Sequence, residues 1–169
     1  MTAITIGNTV SDRAQAQDGW DNTWIDTNAP ASGTGTLTSA SVWLTGASEK
    51  SSFKFGTFSG GGTSWTYRAS RDVGPVATGS VQTFTGLSIA VVAGDCLGFH
   101  NVTANANVEA SYNVGATCYY KAGDHMTAEG AQTYGAQVDT HSVSASGTVP
   151  VISFTPISRI AAAQLIGAM

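Results

Sequence analysis

The sequence is short of charge. Asp, Glu, Lys and Arg make up 11% of its 169 residues, against about 25% in an average soluble protein. Lys and Arg number 7 against 11 acids, for a net charge of −4. That balance excludes an electrostatic nucleic-acid binder, which needs clustered cations to displace counterions from phosphates. Long apolar runs are missing as well. No stretch approaches the ~20 residues of a membrane helix. The opening Met1–Asn8 has neither a basic start nor an apolar run of signal-peptide length, so synthesis without export is expected. Two cysteines, Cys96 and Cys118, are too few for a disulfide framework. They read as two half-buried thiols, or as a disulfide if their strands are neighbours. The 20 glycines show no G-X-Y period, which excludes collagen.

Small polar residues stand where the charge is missing. Ser, Thr and Gly run through the whole length, and the hydrophobic fraction of 42% is too high for a disordered chain. One compact domain over residues 1–156 is expected, followed by an apolar tail, 157–169.

Period-two alternation dominates the domain. Ala40, Val42 and Leu44 are apolar against Ser39, Ser41 and Thr45, with Trp43 on the polar side. Phe53 and Phe55 share a face opposite Lys54, and a bulge at Gly56 is expected to turn Phe58 inward. Trp65 and Tyr67 follow the turn at Gly60–Thr63. Leu87, Ile89 and Val91 line one face; Ala93-Gly94-Asp95 turns the chain; Leu97 and Phe99 resume the apolar face. Val108, Ala110 and Tyr112 alternate with Glu109 and Ser111. Asn113–Ala116 reads as a hairpin connection before Cys118 and Tyr120. Asp139–Ala145 and Val149–Thr155 read as closing strands. About ten short strands with one wet face predict an all-β, two-sheet antiparallel β-sandwich, a jelly roll being the expected form.

Two segments break the pattern. Ser11–Gly19 reads as a polar loop or ordered arm. The tail carries Ile157, Ile160, Leu165 and Ile166, a candidate short helix for docking on another subunit, or else a frayed end.

Chemistry has few candidates. His100, His125 and His141 form no zinc-ligand spacing, and no nucleophile elbow or phosphate loop occurs. Glu49, Glu109 and Glu129 select no facing carboxyl pair for a glycosidase. Asp12, Asp18, Asp21 and Asp26 gather near the N-terminus, where Ca²⁺ is the ion their oxygens would suit. Their spacing fits no EF-hand loop, and turn-capping aspartates are the alternative. No cofactor is expected. The tryptophans remain. Trp20, Trp24 and Trp65 flank loops, and Trp43 sits among hydroxyls. Such rings serve as sugar platforms, or as core and subunit-interface groups.

The segment Gln82-Thr-Phe-Thr-Gly-Leu-Ser-Ile-Ala-Val-Val-Ala-Gly-Asp95-Cys-Leu-Gly-Phe resembles a motif of β-sandwich proteins encoded among bacteriophage structural genes and in viral metagenomes. Ile6-Gly-Asn8 with Asp12-Arg13, Asn28-Ala-Pro-Ala-Ser-Gly, Leu37-Thr-Ser, Val42-Trp43 and Arg71-Asp72 are similar to the same pattern. Cys96 and Cys118 depart from it, where larger apolar or aromatic residues are usual. The resemblance implies a virion surface or appendage role and brings no catalytic residues.

Two function classes follow. The first is a non-enzymatic virion structural protein, a capsid decoration or head/tail appendage subunit. Its partners would be copies of itself, a trimer by expectation, and capsid or tail proteins. The second is a carbohydrate-binding module, lectin- or adhesin-like, that uses Trp43 and Trp65 with Trp20 and Trp24. Neither class involves a membrane or nucleic acid.

Overall fold

The computed structural model describes residues 2–17, 21–47, 50–101 and 106–150. Among them are twelve strands and no helix. One antiparallel sheet consists of β1 (Ala3–Gly7), β4 (Gly35–Gly46), β7 (Val81–Val91) and β12 (Val143–Thr148). Its order is β1-β12-β4-β7. The second is built on β3 (Asn22–Asp26), β5 (Lys50–Gly61), β6 (Ser64–Val76), β8 (Cys96–Asn101) and β9 (Ala106–Ala122). It runs β9-β3-β8-β5-β6. β2 (Gln15–Gln17) and β11 (Gly135–His141) pair with β9, and β10 (Ala131–Thr133) extends the sheet beyond β6. β4 belongs to both sheets, because Leu44–Gly46 pair with Ala106–Val108 of β9.

The core lies between the sheets, as the alternation requires. Ile4, Ile6, Leu37, Ala40, Val42, Ile89 and Val143 from the first meet Trp24, Phe53, Phe55, Leu97 and Phe99 from the second in one buried cluster. Strict period two would send Leu37 and Ala40 to opposite faces. A bulge against β12, where Ser146 opposes Ser39 and Gly147 opposes Leu37, makes Thr38 the extra residue of β4, and both side chains bury.

A second cluster occupies the other face of the β5–β8 region. Ile25, Phe58, Trp65, Cys96, Met126 and Tyr134 form it, with residues from the segment after β9 as its cover. This corrects two expectations. Phe58 does not join Phe53 and Phe55; it follows Thr57 on the alternate face and is buried there. The bulge lies on β6 and not at Gly56, since Thr57 opposes Ala69 while Phe58 opposes Tyr67, leaving Arg68 extra. Arg68 turns that extra position to use and grips Asp95 with Nε at 2.5 Å and a second nitrogen at 3.0 Å. With both faces covered, every residue of β8 is buried.

Two further expectations change. Asn113–Ala116 is not a hairpin connection but an excursion within β9: Val138 opposes Thr117, and Asp139 opposes Tyr112. Among the described residues the closing strands are β11 and β12, divided at Ser142; Val149 and Pro150 follow β12 outside any strand, and the rest of the expected strand Val149–Thr155 lies outside the described residues. Ser11–Gly19 contributes β2.

Gly98 makes the second cluster possible. A Cβ there would stand 2.4 Å from the Phe58 ring and 2.8 Å from the Trp24 carbonyl oxygen. Gly98→Ala is expected to cost about 1–3 kcal/mol, the usual range for overpacking, read as a lower urea midpoint. A midpoint equal to wild type would contradict the placement of Phe58 over Gly98.

Candidate functional site

The tryptophans separate by burial. Trp24 is 2% exposed and Trp65 4%. Trp24 stacks near Phe99 and packs against Tyr120 and His141. Trp65 leans on Tyr119 and donates its Nε1–H to the Gly62 carbonyl at 2.9 Å. Both rings are core groups, so the expectation of a sugar platform at Trp24 or Trp65 is overturned. A flat ring binds a sugar only when water can leave it. Trp20, Ile157, Ile160, Leu165 and Ile166 lie outside the described residues. Trp43 is the exception: it stays half-buried on the outer face of the first sheet.

That face has an unusual make-up. The four strands read AITIG, GTLTSASVWLTG, VQTFTGLSIAV and VSASGT and contain no Asp, Glu, Lys or Arg. Strand pairing sets Thr83, Ser41 and Ser144 in one row and Thr85, Ser39, Ser146 and Thr5 in the next. Ser41 and Thr83 hydroxyls share a hydrogen bond of 2.9 Å. Trp43 and the exposed Val81 end the array. Asn8–Val10 border a shallow groove of about 400 Å³ over Thr5, Ser39, Ser41, Ser144 and Ser146.

Charged groups concentrate elsewhere, and most are tied down. Lys54 pairs with Asp124, and Arg68 with Asp95. Glu109, expected outward, is buried beneath β2 and accepts the Arg13 backbone N–H at 3.0 Å. His125 meets Glu129 through Nδ1 at 3.3 Å and the Ala122 carbonyl through Nε2 at 2.8 Å. The described N-terminal acids do not gather into the Ca²⁺ cluster that stood as the alternative to turn-capping aspartates. Asp12 and Asp21 are exposed, and Asp26 is fully buried. Asp18 and Glu49 lie outside the described residues.

Asp26 is the centre of a buried polar knot that sequence reading missed. Its Oδ2 accepts from the His141 backbone N–H at 3.0 Å, the His141 Nδ1–H at 3.0 Å and the Asn8 amide at 2.9 Å. Its Oδ1 accepts from the Asn28 backbone and side chain, each at 2.9 Å. Both Asp26 and His141 have 0% exposure. Burial alone would raise the pKa of Asp26. The hydrogen bonds from His141, with help from Asn28, outweigh it and hold the carboxyl below its usual range.

Cys118 and Asp139 adjoin the knot. Asp139 and His141 are two apart on β11 and so share a face. The thiol of Cys118, one carboxylate oxygen of Asp139 and one ring nitrogen of His141 lie within 4.8 Å of one another, all three residues buried. Asp139 accepts from the Asn113 backbone N–H at 3.2 Å and from the Gln137 amide. Burial, with the charges of Asp139 and Asp26 nearby, pushes the Cys118 thiol up to about 12. Cys96 belongs to the other cluster, and both thiols are free, so the disulfide option is closed. The Asp-x-His spacing on a strand was the legible signal for this group. Its partner Cys118 comes from another strand, which no local spacing reveals.

Comparison with family models, curated proteins and solved structures finds no match to this chain.

Asp26→Ala leaves five donor groups without their acceptor, two of them on fully buried His141, and is expected to destabilise the fold by at least about 1–3 kcal/mol, the range for unsatisfied buried hydrogen-bonding groups. A carboxyl lowered on folding contributes stability that is full above its ordinary pKa of 3.8 and is lost as pH falls through the lower folded value. Thermal melts from pH 6 to pH 2 should therefore show a steeper acid loss for wild type than for Asp26→Asn. Parallel curves would contradict the role given to Asp26.

Proposed function

We propose that this chain is a non-enzymatic structural subunit of a bacteriophage particle, of the capsid-decoration or head/tail-appendage kind, which works as a homo-oligomer. The observation that carries the reading is strand order. Eight of the strands follow β1-β12-β4-β7 in one sheet and β3-β8-β5-β6 in the other. We read this as a jelly roll, an architecture found among viral capsid and lectin domains. The resemblance to phage structural genes supports the same reading.

The uncharged face of the first sheet supports assembly. Two such faces can meet with no like-charge repulsion and no ion stripped of water. Small hydroxyls lose little side-chain entropy when covered. Three-fold symmetry and neighbouring capsid or tail proteins complete the proposal.

Size-exclusion chromatography with light scattering should give a trimer at micromolar concentration. Ser41→Asp, which places a charge at the centre of the face, should shift the species toward monomer with the far-ultraviolet spectrum intact. A wild-type monomer that never associates with particles would overturn the proposal.

Trp43 favours a second reading, a carbohydrate-binding module on the same face. Its half-exposed ring ends a row of hydroxyls that can hydrogen-bond a sugar. On this reading a glycan array gives micromolar-to-millimolar hits, and Trp43→Ala weakens them at least about tenfold, roughly 1.4 kcal/mol, with folding retained. A blank array at high protein concentration removes it.

A further inference from the structure

We propose that Cys118, Asp139 and His141 are ligands of a single structural transition-metal ion, Zn²⁺ by the chemistry of the donors. The geometric basis is the buried trio of ligand atoms, mutually within 4.8 Å. A tetrahedral Zn²⁺, with bonds of about 2.0–2.3 Å, draws its ligand atoms to roughly 3.2–3.8 Å apart. No pair of the trio therefore needs to close by more than about 1.0–1.6 Å. A thiolate beside an imidazole and a carboxylate suits zinc and not Ca²⁺ or Mg²⁺, which take oxygen donors.

The state of His141 is the second, independent observation. Its Nδ1 faces the Asp26 carboxylate at 3.0 Å and is therefore the protonated nitrogen. Its Nε2 is buried and has no hydrogen-bond partner. An imidazole that gives one N–H to a carboxylate and keeps its other nitrogen bare is the arrangement of a metal-ligating histidine, and with Nδ1 given to Asp26 the nitrogen assigned to the ion is Nε2. Asp26 then plays the outer carboxylate, which fixes the ring and makes Nε2 more basic.

Charge points the same way. Asp139 is buried, and among the described residues it has no ion-pair partner, whereas Asp26 faces His141. Buried carboxylates are ordinarily paired with a cation or bound to a metal. A dication supplies the missing charge at that spot. On binding, Zn²⁺ takes the Cys118 sulfur as thiolate and one proton leaves to solvent, with no change of oxidation state. The fourth position of the tetrahedron falls to a water or a nearby backbone oxygen. Residues 118, 139 and 141 belong to β9 and β11, so the ion would clip the β9–β11 ribbon to itself beside the excursion at Asn113–Ala116.

The test uses the full chain with ZnCl₂ and CoCl₂ as probes. Wild type should retain one Zn²⁺ per chain after gel filtration, by plasma mass spectrometry. Added Co²⁺ should give a thiolate-to-cobalt absorption band in the near ultraviolet, and Zn²⁺ should abolish it by displacement. Cys118→Ala should lose the band and the ion; Cys96→Ala should keep both. Asp139→Asn should weaken Co²⁺ binding at least tenfold. Wild type without a thiolate band at saturating Co²⁺ overturns the proposal, and does so even if a variant fails to fold. Equal uptake by wild type and a folded Cys118→Ala also overturns it.

Discussion

The carboxylate of Asp26 has no access to water, and a charge in that position is tolerated only where donors surround it. They come from three separated places: Asn8 beyond β1, Asn28 beyond β3, and His141 at the end of β11. Satisfying one charge therefore fixes three chain segments at once. Asn28 passes the constraint on. Its amide donates to the Asp139 carbonyl at 2.9 Å, and its oxygen accepts the Ala116 N–H at 2.6 Å. The excursion in β9 is shaped around that oxygen. Gly115, at φ +97°, has no room for a Cβ, which would stand 2.1 Å from it. Remove the charge at Asp26 and the bonds that define one end of the sandwich lose their common acceptor.

The sheets were legible in the sequence because their inner faces are continuous and apolar. Ala40, Val42, Leu44, Leu87, Ile89, Leu97 and Phe99 obey period two, and all bury as expected. What escaped was whatever depended on a second partner. Phe58 is as apolar as Phe55, and alternation alone says only that they differ in parity. The cover over the outer face, Met126 and Tyr134, comes from a polar segment that looks like an ordinary loop. The same cover buries Trp65, and the core buries Trp24, which left Trp43 as the one described ring of the four candidates still reachable by solvent. Asp26 looked like one acid among four near the N-terminus. Its role is set by His141, more than a hundred residues away, and such pairing leaves no trace in local spacing.

The division of charge between the sheets ties fold to function. The first sheet has no ionised side chain on its four strands, while the second carries Lys54, Arg68, Glu109 and Asp139. Low overall charge is thus not spread evenly. It is the sum of one neutral plane and one ordinary sheet. A neutral hydroxyl plane suits a contact that must be covered by another surface, whether a copy of the chain or a sugar, and it offers no group for acid–base chemistry.

Mechanical behaviour follows from the double membership of β4. Along Gly35–Trp43 it lies between β7 and β12, and at Leu44–Gly46 it is hydrogen-bonded into the other sheet. The two layers of the sandwich are thus stitched by a shared strand as well as by the grease between them. A load that slides one layer past the other must shear the ladder of β4, whose bonds carry the strain together. A load that peels an outer strand such as β1 breaks its bonds one after another. The protein should accordingly be stiff along β4 and yield first at β1.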